Sequence, residues 1–289
     1  MTPVRSENII NYFLFGLFVL IPKNLLSFAT GWLARLDLPR PLKGILAKMF
    51  VGVFGINMDE AEKPLKDYAT IEDIFTRALR PGQRPIEADF CSPADGKLCQ
   101  SGITSKSAPA VQAKGLTYSL EELVFGAQTS KDLSWFATIY LAPHNYHRVH
   151  APVSGKLMNI TYFGGELWPV NPPFVSVVPD LFVRNERLVF EIQMEQGICY
   201  VVMVGALNVG RMVSPHWPHM TTNAHGRVLN RHRESRDFEA PLAIKAGDEL
   251  GTFMLGSTVI VVFDTMAREQ LKLSQLPNGP VTMGQSFLN

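Results

Sequence analysis

Residues 245–263 read KAGDELGTFMLGSTVIVVF, and this stretch is the most informative about the fold. It opens with Lys-Ala-Gly-Asp, in which glycine and aspartate favour a tight turn of the kind that often begins a β-hairpin. The apolar run from Thr258 to Phe263 is rich in β-branched residues and predicts a buried strand. The Gly256-Ser257 pair interrupts the apolar sequence. It predicts either a bulge or tight bend that stores backbone strain, or a plain turn at an edge strand.

The chain from residue 85 onward has the same texture as this stretch. Short apolar runs alternate with Gly, Pro and Asn, and each run predicts a strand. The further runs are Leu133–Ala142, Gly155–Tyr162, Leu188–Glu191 and Ile198–Val209. One helix is predicted at Ser119–Gly126, where Ser119 suits the N-cap position. We therefore expect an α+β protein whose larger part is a mostly antiparallel β domain.

The amino-terminal part differs in charge and hydropathy. Residues 1–50 carry six basic and two acidic side chains, although the whole chain has a net charge of only +1. The thirteen uncharged residues from Ile9 to Ile21 are too few to span a bilayer, which needs about 20. The segment from Trp32 to Phe54 mixes basic and apolar residues. We expect residues 1–58 to form amphipathic helices on an anionic membrane surface.

Two alternatives remain for this amino-terminal part. Its helices could pack on the protein core or on a partner, and the apolar run could belong to a signal peptide, although no clear cleavage site follows it. Residues 59–289 are expected to form a helical lead-in followed by the β-rich domain. In the lead-in, Thr70 followed by Asp73 is typical of a helix N-terminus.

Composition excludes several classes of protein. Charged residues make up 18% and hydrophobic residues 46%, which excludes global disorder, and the small net charge gives no support to nucleic-acid binding. The three cysteines include no CxxC pair, which argues against a disulfide scaffold or a zinc ribbon. We expect them to be buried small hydrophobic residues in a reducing compartment.

Residues 141–150 read LAPHNYHRVH and contain His144, His147 and His150. Because Pro143 and Pro152 bracket the histidines, we expect an extended segment that turns His147 and His150 to opposite faces. A metal site needs a further ligand, and none is close in sequence, so no metal is expected. The other two possibilities are solvated or hydrogen-bonded histidines and an acid–base role, which suits a side chain that titrates near neutral pH.

Taken together, these segments resemble the phosphatidylserine decarboxylases of the membrane-associated bacterial type. Leu255-Gly256-Ser257-Thr258, preceded by Lys-x-Gly-Asp-Glu-Leu-Gly, looks like the self-cleavage motif of that family. Other segments agree with the family pattern in the same order over roughly residues 60–265. These segments are Ser92–Gly96, Lys114–Leu123, Tyr146–His150, Val170–Pro172, Asn185–Arg187 and Val204–Gly210.

The resemblance implies a proenzyme that cuts its own backbone between Gly256 and Ser257. It implies that the Ser257 hydroxyl attacks the Gly256 carbonyl, that His150 is the base and that Asp95 orients His150, in the manner of a catalytic triad. Elimination then leaves a large chain, 1–256, and a small chain, 257–289, whose first residue becomes a covalent pyruvoyl group.

The implied activity is that of a pyruvoyl-dependent carboxy-lyase. Phosphatidylserine would be converted to phosphatidylethanolamine and CO2 through a Schiff base with the pyruvoyl group, which carries the difficult chemistry. By resemblance, His147 is the general acid that protonates the former α-carbon. The resemblance also implies a homodimer that is peripheral to the cytoplasmic face of the inner membrane, where its substrate lies in an anionic bilayer.

Two rival functions fit the same residues. A serine hydrolase would use Asp95, His150 and Ser257 on an external ester, but the sequence around Ser257 lacks the G-x-S-x-G elbow. A non-enzymatic membrane-binding module would use none of these residues.

Overall fold

A computed structural model of the chain describes residues 16, 18–105, 108–113, 115–207, 211–223, 232–254 and 257–288. Its helices are α1 (Lys23–Ala34), α2 (Arg40–Phe54), α3 (Ile71–Phe75), α4 (Leu120–Phe125), α5 (Pro172–Val175), α6 (Leu181–Arg184) and α7 (Thr265–Gln270), with a 3₁₀ turn at Leu65–Asp67. Its strands are β1 (Gly96–Ile103), β2 (Ala110–Ala113), β3 (Leu116–Tyr118), β4 (Leu133–Leu141), β5 (Arg148–His150), β6 (Gly155–Phe163), β7 (Arg187–Gln193), β8 (Ile198–Val204), β9 (Met212–Val213), β10 (Arg233–Ile244), β11 (Glu249–Phe253), β12 (Ser257–Asp264) and β13 (Gly279–Val281).

The main sheet has eight strands in the order β10-β6-β7-β8-β12-β4-β1-β13, and neighbouring strands are antiparallel. A three-stranded sheet, β5-β11-β9, and the hairpin β2-β3 complete the β structure. Helices precede this domain in the chain, so the predicted α+β class with a mostly antiparallel β domain is confirmed.

Strand β12 lies in the middle of the main sheet, between β8 and β4. All of its residues except Asp264 are buried, because the strand is covered on both faces. This explains its unbroken run of β-branched residues and phenylalanine, which would be unfavourable on a solvated face. The alternative of a plain edge-strand turn at Ser257 is therefore excluded.

Local sequence signals decide several helix ends and strand ends. Thr70 and Asp73 form the predicted capping box at the start of α3, and the Ser119 hydroxyl accepts a hydrogen bond from the Glu122 amide at the start of α4.

The prediction of a strand from Ile198 to Val209 was too long. The strand ends at Val204, since the next carbonyl, that of Gly205, accepts a hydrogen bond from the Asn185 side chain at 2.8 Å.

The hairpin predicted at Lys245–Asp248 was wrong. The turn itself forms, since the Lys245 amide donates to the Asp248 carboxylate at 2.7 Å. The strands on either side do not pair, because β10 joins β6 in the main sheet and β11 joins β5 and β9 in the second sheet. The turn therefore moves the chain from one sheet to the other.

Helices α1 and α2 lie beside the β domain. In α1 the Asn24 side chain donates to the Gly165 carbonyl, and Ala47 of α2 packs in a small core with Tyr68 and Ile74. In the described part of the chain, no helix is both long enough and apolar enough to cross a bilayer. Most of the apolar run at Ile9–Ile21 lies outside the described residues, and the division of the chain at residue 58 stays a prediction.

Candidate active site at the Ser257 end of the central strand

Three adjacent strands, β1, β4 and β12, bring Asp95 and Ser257 together at the same end of the main sheet. Strand β12 begins at Ser257, which pairs with Leu141 at the end of β4. Strand β1 lies on the other side of β4 and begins at Gly96, directly after Asp95. Only β4 therefore lies between the aspartate and the serine, although they are 162 positions apart in the sequence.

Ser257 is almost completely buried, with 1% of its surface exposed. Its hydroxyl donates a hydrogen bond to the Val204 carbonyl at the end of β8. Gly256, the other residue of the predicted cleavage site, lies outside the described residues. The serine is thus fixed by pairing with β4 on one side and by the bond from its hydroxyl to β8 on the other, and it is shielded from bulk water.

His150 lies on β5, which pairs with β11, the strand that leads toward Ser257. Its Nδ1 lies 2.7 Å from the Gly247 carbonyl, which can only accept, so Nδ1 carries the proton. Nε2 is then the acceptor, and the Tyr146 hydroxyl donates to it at 3.1 Å. Burial lowers the pKa of His150, although the bond to the Gly247 carbonyl opposes this effect. The neutral ring is the form that can accept a proton.

Asp95 is held by a cation and by the main chain. Arg84 donates to both carboxylate oxygens, at 2.8 and 2.6 Å, and the Met283 amide donates to Oδ1 at 2.8 Å. Among the described residues, Asp95 makes no hydrogen bond to His150, and His150 makes none to Ser257. Asp95 still acts on His150 through its charge, which favours the protonated ring. Asp95 and Ser257 thus lie at one end of the main sheet, and the His150 amide donates to the Pro93 carbonyl, two residues before Asp95, at 2.8 Å. The three side chains are not hydrogen-bonded as a chain, and their roles stay predictions.

His147 is completely buried, and its ring stacks on Phe75 with 3.8 Å between ring centroids. Its main-chain carbonyl accepts from the Phe253 amide at 3.0 Å, which ties it to the strand preceding Ser257. Burial lowers the pKa of His147 well below its ordinary value, and the charge of Arg77 lowers it further. The ring is therefore neutral near pH 7.

His144 and His216 make contacts through the main chain of the protein rather than with the site residues. The His144 carbonyl accepts from Arg77 at 3.1 Å, and the His216 ring lies 3.0 Å from the Glu249 carbonyl. No three side chains of His, Cys, Asp or Glu approach closely enough to hold a metal ion within the described ranges.

Three residues of this cluster had no predicted role. Arg84 forms an ion pair with Asp95, and the Tyr146 hydroxyl donates to Nε2 of His150. The Gly247 carbonyl accepts from Nδ1 of His150 and so fixes its tautomer. The sequence contained one usable signal, since Tyr146 precedes His150 by four residues within a segment already singled out. A main-chain carbonyl such as that of Gly247 carries no sequence signal.

Comparisons with known proteins agree with this arrangement. The family model described as phosphatidylserine decarboxylase matches residues 71–289. A phosphatidylserine decarboxylase proenzyme of Anaeromyxobacter sp. (strain K) is 40% identical over 251 residues, covering 85% of this chain and 87% of that protein. The proenzymes of Myxococcus xanthus (strain DK1622) and Herminiimonas arsenicoxydans are 38% and 37% identical, covering 84% and 93% of this chain and 86% and 90% of their own lengths. The chain therefore belongs to the phosphatidylserine decarboxylase family, whose reaction converts phosphatidylserine to phosphatidylethanolamine and CO2.

Proposed function

We propose that this chain is a proenzyme that cuts itself between Gly256 and Ser257 and that residue 257 becomes a covalent pyruvoyl group. The observation that carries the proposal is that the buried Ser257 begins the central strand β12 at the same end of the main sheet as Asp95. The names of the relatives, which are proenzymes, support it.

Self-cleavage needs two bond changes at Ser257. In the first, the serine hydroxyl gives its proton to His150 and attacks the carbonyl carbon of residue 256. The C–N bond then breaks, His150 passes the proton to the leaving nitrogen of residue 257, and an ester with a free amino group results. In the second, Cα of residue 257 loses a proton, the Cβ–O bond breaks, and residue 256 leaves as a carboxylate. Water then converts the resulting dehydroalanine to a ketone and ammonia.

The surroundings of Ser257 fit a covalent group that must stay in place after the cut. Strand β12 pairs with β4 from Ser257 to Asp264 and with β8 from Thr258 to Phe263, so the small chain stays in the sheet. When formed, the pyruvoyl group supplies an electron-withdrawing carbonyl that stabilises the electrons left as CO2 departs. The protein holds this group in a buried place and controls the protons around it.

We assign proton donation in the lipid reaction to His147. Because its ring is neutral at rest, it first takes up a proton, as from the ammonium group of the substrate, and the imidazolium then gives that proton to the former α-carbon. Neither ring nitrogen has a hydrogen-bond partner among the described side chains. The stacking on Phe75 holds the ring plane, and the main-chain bond to Phe253 links it to the segment that leads to Ser257.

Mass spectrometry of the denatured protein tests the proposal. We expect two chains, 1–256 and 257–289, and an intact chain for Ser257→Ala, His150→Ala and Asp95→Ala. His147→Ala should mature to two chains and lose decarboxylase activity by about 100-fold or more. An uncut wild-type chain whose Ser257 reacts with a serine-directed probe would instead favour the hydrolase. Lipid binding without cleavage or decarboxylation would favour the membrane module.

We also propose that α1 and α2 attach the protein to the cytoplasmic face of the inner membrane. Both helices expose large apolar side chains, and in α2 these lie beside the exposed Arg40 and Lys48, an arrangement that suits an anionic bilayer surface. The exposed side chains are Leu25, Leu26, Trp32, Leu33, Leu42, Ile45, Met49, Val53 and Phe54. Other parts of these helices pack on the rest of the protein, α1 on the β domain through Asn24 and α2 on the helical lead-in through Ala47, so packing and lipid binding involve different residues.

Sedimentation with vesicles tests this attachment. We expect binding to vesicles that contain an anionic lipid, and weaker binding by the double variant Trp32→Ser, Leu33→Ser. The matched control is Ile103→Ser, since Ile103 is 56% exposed but lies on β1, outside the two helices. Equal loss in both variants would contradict the assignment.

A homodimer is proposed as well, and analytical ultracentrifugation in detergent tests it.

A further inference from the structure

Glu186 is a buried carboxyl group that the proposed function does not use. It immediately precedes β7 and has no exposed surface. Its Oε1 accepts from the Tyr162 hydroxyl at 2.5 Å and from the Asn223 amide at 2.8 Å. Its Oε2 has no hydrogen-bond partner in the described part of the chain. A buried carboxylate oxygen without a partner is unfavourable, so its retention calls for an explanation.

The strand register places Glu186 and Ser257 in one row across three strands. Val204 of β8 pairs with Arg187 on one side and with Thr258 on the other. One residue further along, Gly205 therefore lies between Glu186 and Ser257, and the Gly205 amide donates to the Glu186 carbonyl at 2.8 Å. Residues directly opposite each other project from the same face of a sheet, so both side chains share a face. Their Cα atoms lie two strand spacings apart, or about 10 Å.

Glycine at position 205 leaves the space between the two side chains without a side chain of its own. The ends of two flexible side chains cover it, since a Cβ at Gly205 would lie 3.0 Å from Cδ2 of Leu167 and 3.6 Å from Cε of Met212. No side chain of an intervening residue therefore stands between Glu186 and Ser257 along this row.

Asp95 and Glu186 lie on opposite sides of Ser257 in contrasting surroundings. Arg84 neutralises Asp95, whereas Glu186 has only neutral hydrogen-bond donors. Burial raises the pKa of Glu186 to about 7, and the bonds from Tyr162 and Asn223 oppose this rise. Two carboxyl groups with such different environments suit different tasks, since a desolvated carboxylate without a cation is the stronger base.

Other charged groups near Glu186 are engaged elsewhere. The Arg187 side chain projects from the opposite face of β7 and donates to the carbonyls of Leu123 and Glu122. On the adjoining segments, Lys23 and Arg184 both pair with Glu166. The titration of Glu186 is therefore governed by its burial and by Tyr162 and Asn223.

We propose that Glu186 takes the Cα proton of residue 257 in the elimination step of maturation, an inference that rests on the proposed self-cleavage. The proton passes from Cα to the Glu186 carboxylate, and its electron pair forms the Cα–Cβ double bond. The Cβ–O bond breaks, residue 256 leaves as a carboxylate, and Glu186 becomes a neutral carboxylic acid. The step needs no other reactant.

Glu186→Gln separates this role from a structural one. The amide oxygen still accepts from Tyr162 and Asn223, so the fold is retained, but the side chain can no longer accept a proton. We expect the ester to form and then to accumulate, with elimination slowed by about 100-fold or more. Hydroxylamine cleaves such an ester, and mass spectrometry would show residue 256 as a hydroxamate and a free amino group on Ser257.

Tyr162→Phe is the second variant, and it keeps the carboxyl group. Losing the phenol donor raises the pKa of Glu186, so the pH at which elimination reaches half its maximal rate should move upward. The proposal is overturned if Glu186→Gln matures at the wild-type rate, if its uncut chain resists hydroxylamine, or if Tyr162→Phe leaves the pH profile unchanged. Maturation of Ser257→Ala would contradict the proposed self-cleavage itself, so the two failures are distinguishable.

Discussion

The guanidinium of Arg84 holds both carboxylate oxygens of Asp95, with hydrogen bonds of 2.8 and 2.6 Å. Both side chains are largely buried, and Glu60 pairs with the same guanidinium at 2.8 Å. The Asp95 side chain is therefore fixed in direction before any reaction at Ser257 begins. The position of Asp95 therefore depends on Arg84, a residue that none of the motifs quoted from the sequence contains.

Replacing Arg84 should damage both stability and maturation. Arg84→Met leaves Asp95 buried without a cation, which should cost about 3 kcal/mol of unfolding free energy. The measurement is urea unfolding in the Ser257→Ala background, where maturation does not interfere. The matched control is Lys43→Met, whose partner Asp37 is 72% exposed, and this change should cost no more than about 1 kcal/mol. Equal losses would show that the Arg84 pair behaves as a surface pair.

Gly247→Ala should impair self-cleavage by moving the carbonyl that fixes the His150 tautomer. Gly247 has a φ of +91°, and an added Cβ would lie 2.6 Å from Cδ1 of Ile86. Gly82→Ala is the control, because Gly82 has a φ of +83° and open space around it. Both variants should lose about 1 kcal/mol of stability from the positive φ, but only Gly247→Ala should slow the appearance of the two chains. Slow cleavage in both would point to general destabilisation.

His147 should remain neutral in the proenzyme across the physiological range. Its pKa lies well below the ordinary value because burial and Arg77 both disfavour the charged ring. NMR of 15N-labelled histidine in the Ser257→Ala protein should show no protonation of His147 between pH 8 and about 6.5, the ordinary pKa of histidine. The same protein unfolded in urea provides the reference titration. Protonation of His147 above the reference pKa would contradict the neutral ring.

Glu186 should make the proenzyme less stable as the pH rises. Its folded-state pKa is raised from 4.5 to about 7, so its favourable contribution is complete below pH 4.5 and is lost as the pH rises to about 7. In the Ser257→Ala background, Glu186→Gln should therefore stabilise the protein more at pH 8 than at pH 5, by roughly 2 kcal/mol. Glu195→Gln is the control, since Glu195 follows β7 and its side chain is exposed. A pH-independent effect of Glu186→Gln would contradict the raised pKa.

Strand positions were the most predictable part of the fold. The runs at Leu133–Ala142, Gly155–Tyr162 and Thr258–Phe263 became strands within one residue of the predicted ends, because turn residues bound each run. The failed hairpin at Lys245–Asp248 shows the limit of such reasoning. Local sequence predicts that a strand forms, whereas its partner depends on residues far away in the chain.

The candidate site was predictable to a similar extent. Asp95 and His150 carried recognisable motifs, but the bonds they make here involve Arg84 and the Gly247 carbonyl. Glu186 belonged to a segment that supported the resemblance, and nothing in that segment indicated its burial or its row with Ser257. Both features depend on the register of β7, β8 and β12, which becomes visible only when the sheet is assembled.

The central position of β12 has a consequence for the lifetime of the mature protein. A cut before Ser257 removes none of the pairings of β12 with β4 and β8, so one sheet is then shared by two separate chains. Once unfolded, the small chain would diffuse away, and refolding would require two molecules to meet and insert a strand into the middle of a sheet. Unfolding of the mature form is therefore effectively irreversible, and its survival is governed by the unfolding rate rather than by an equilibrium.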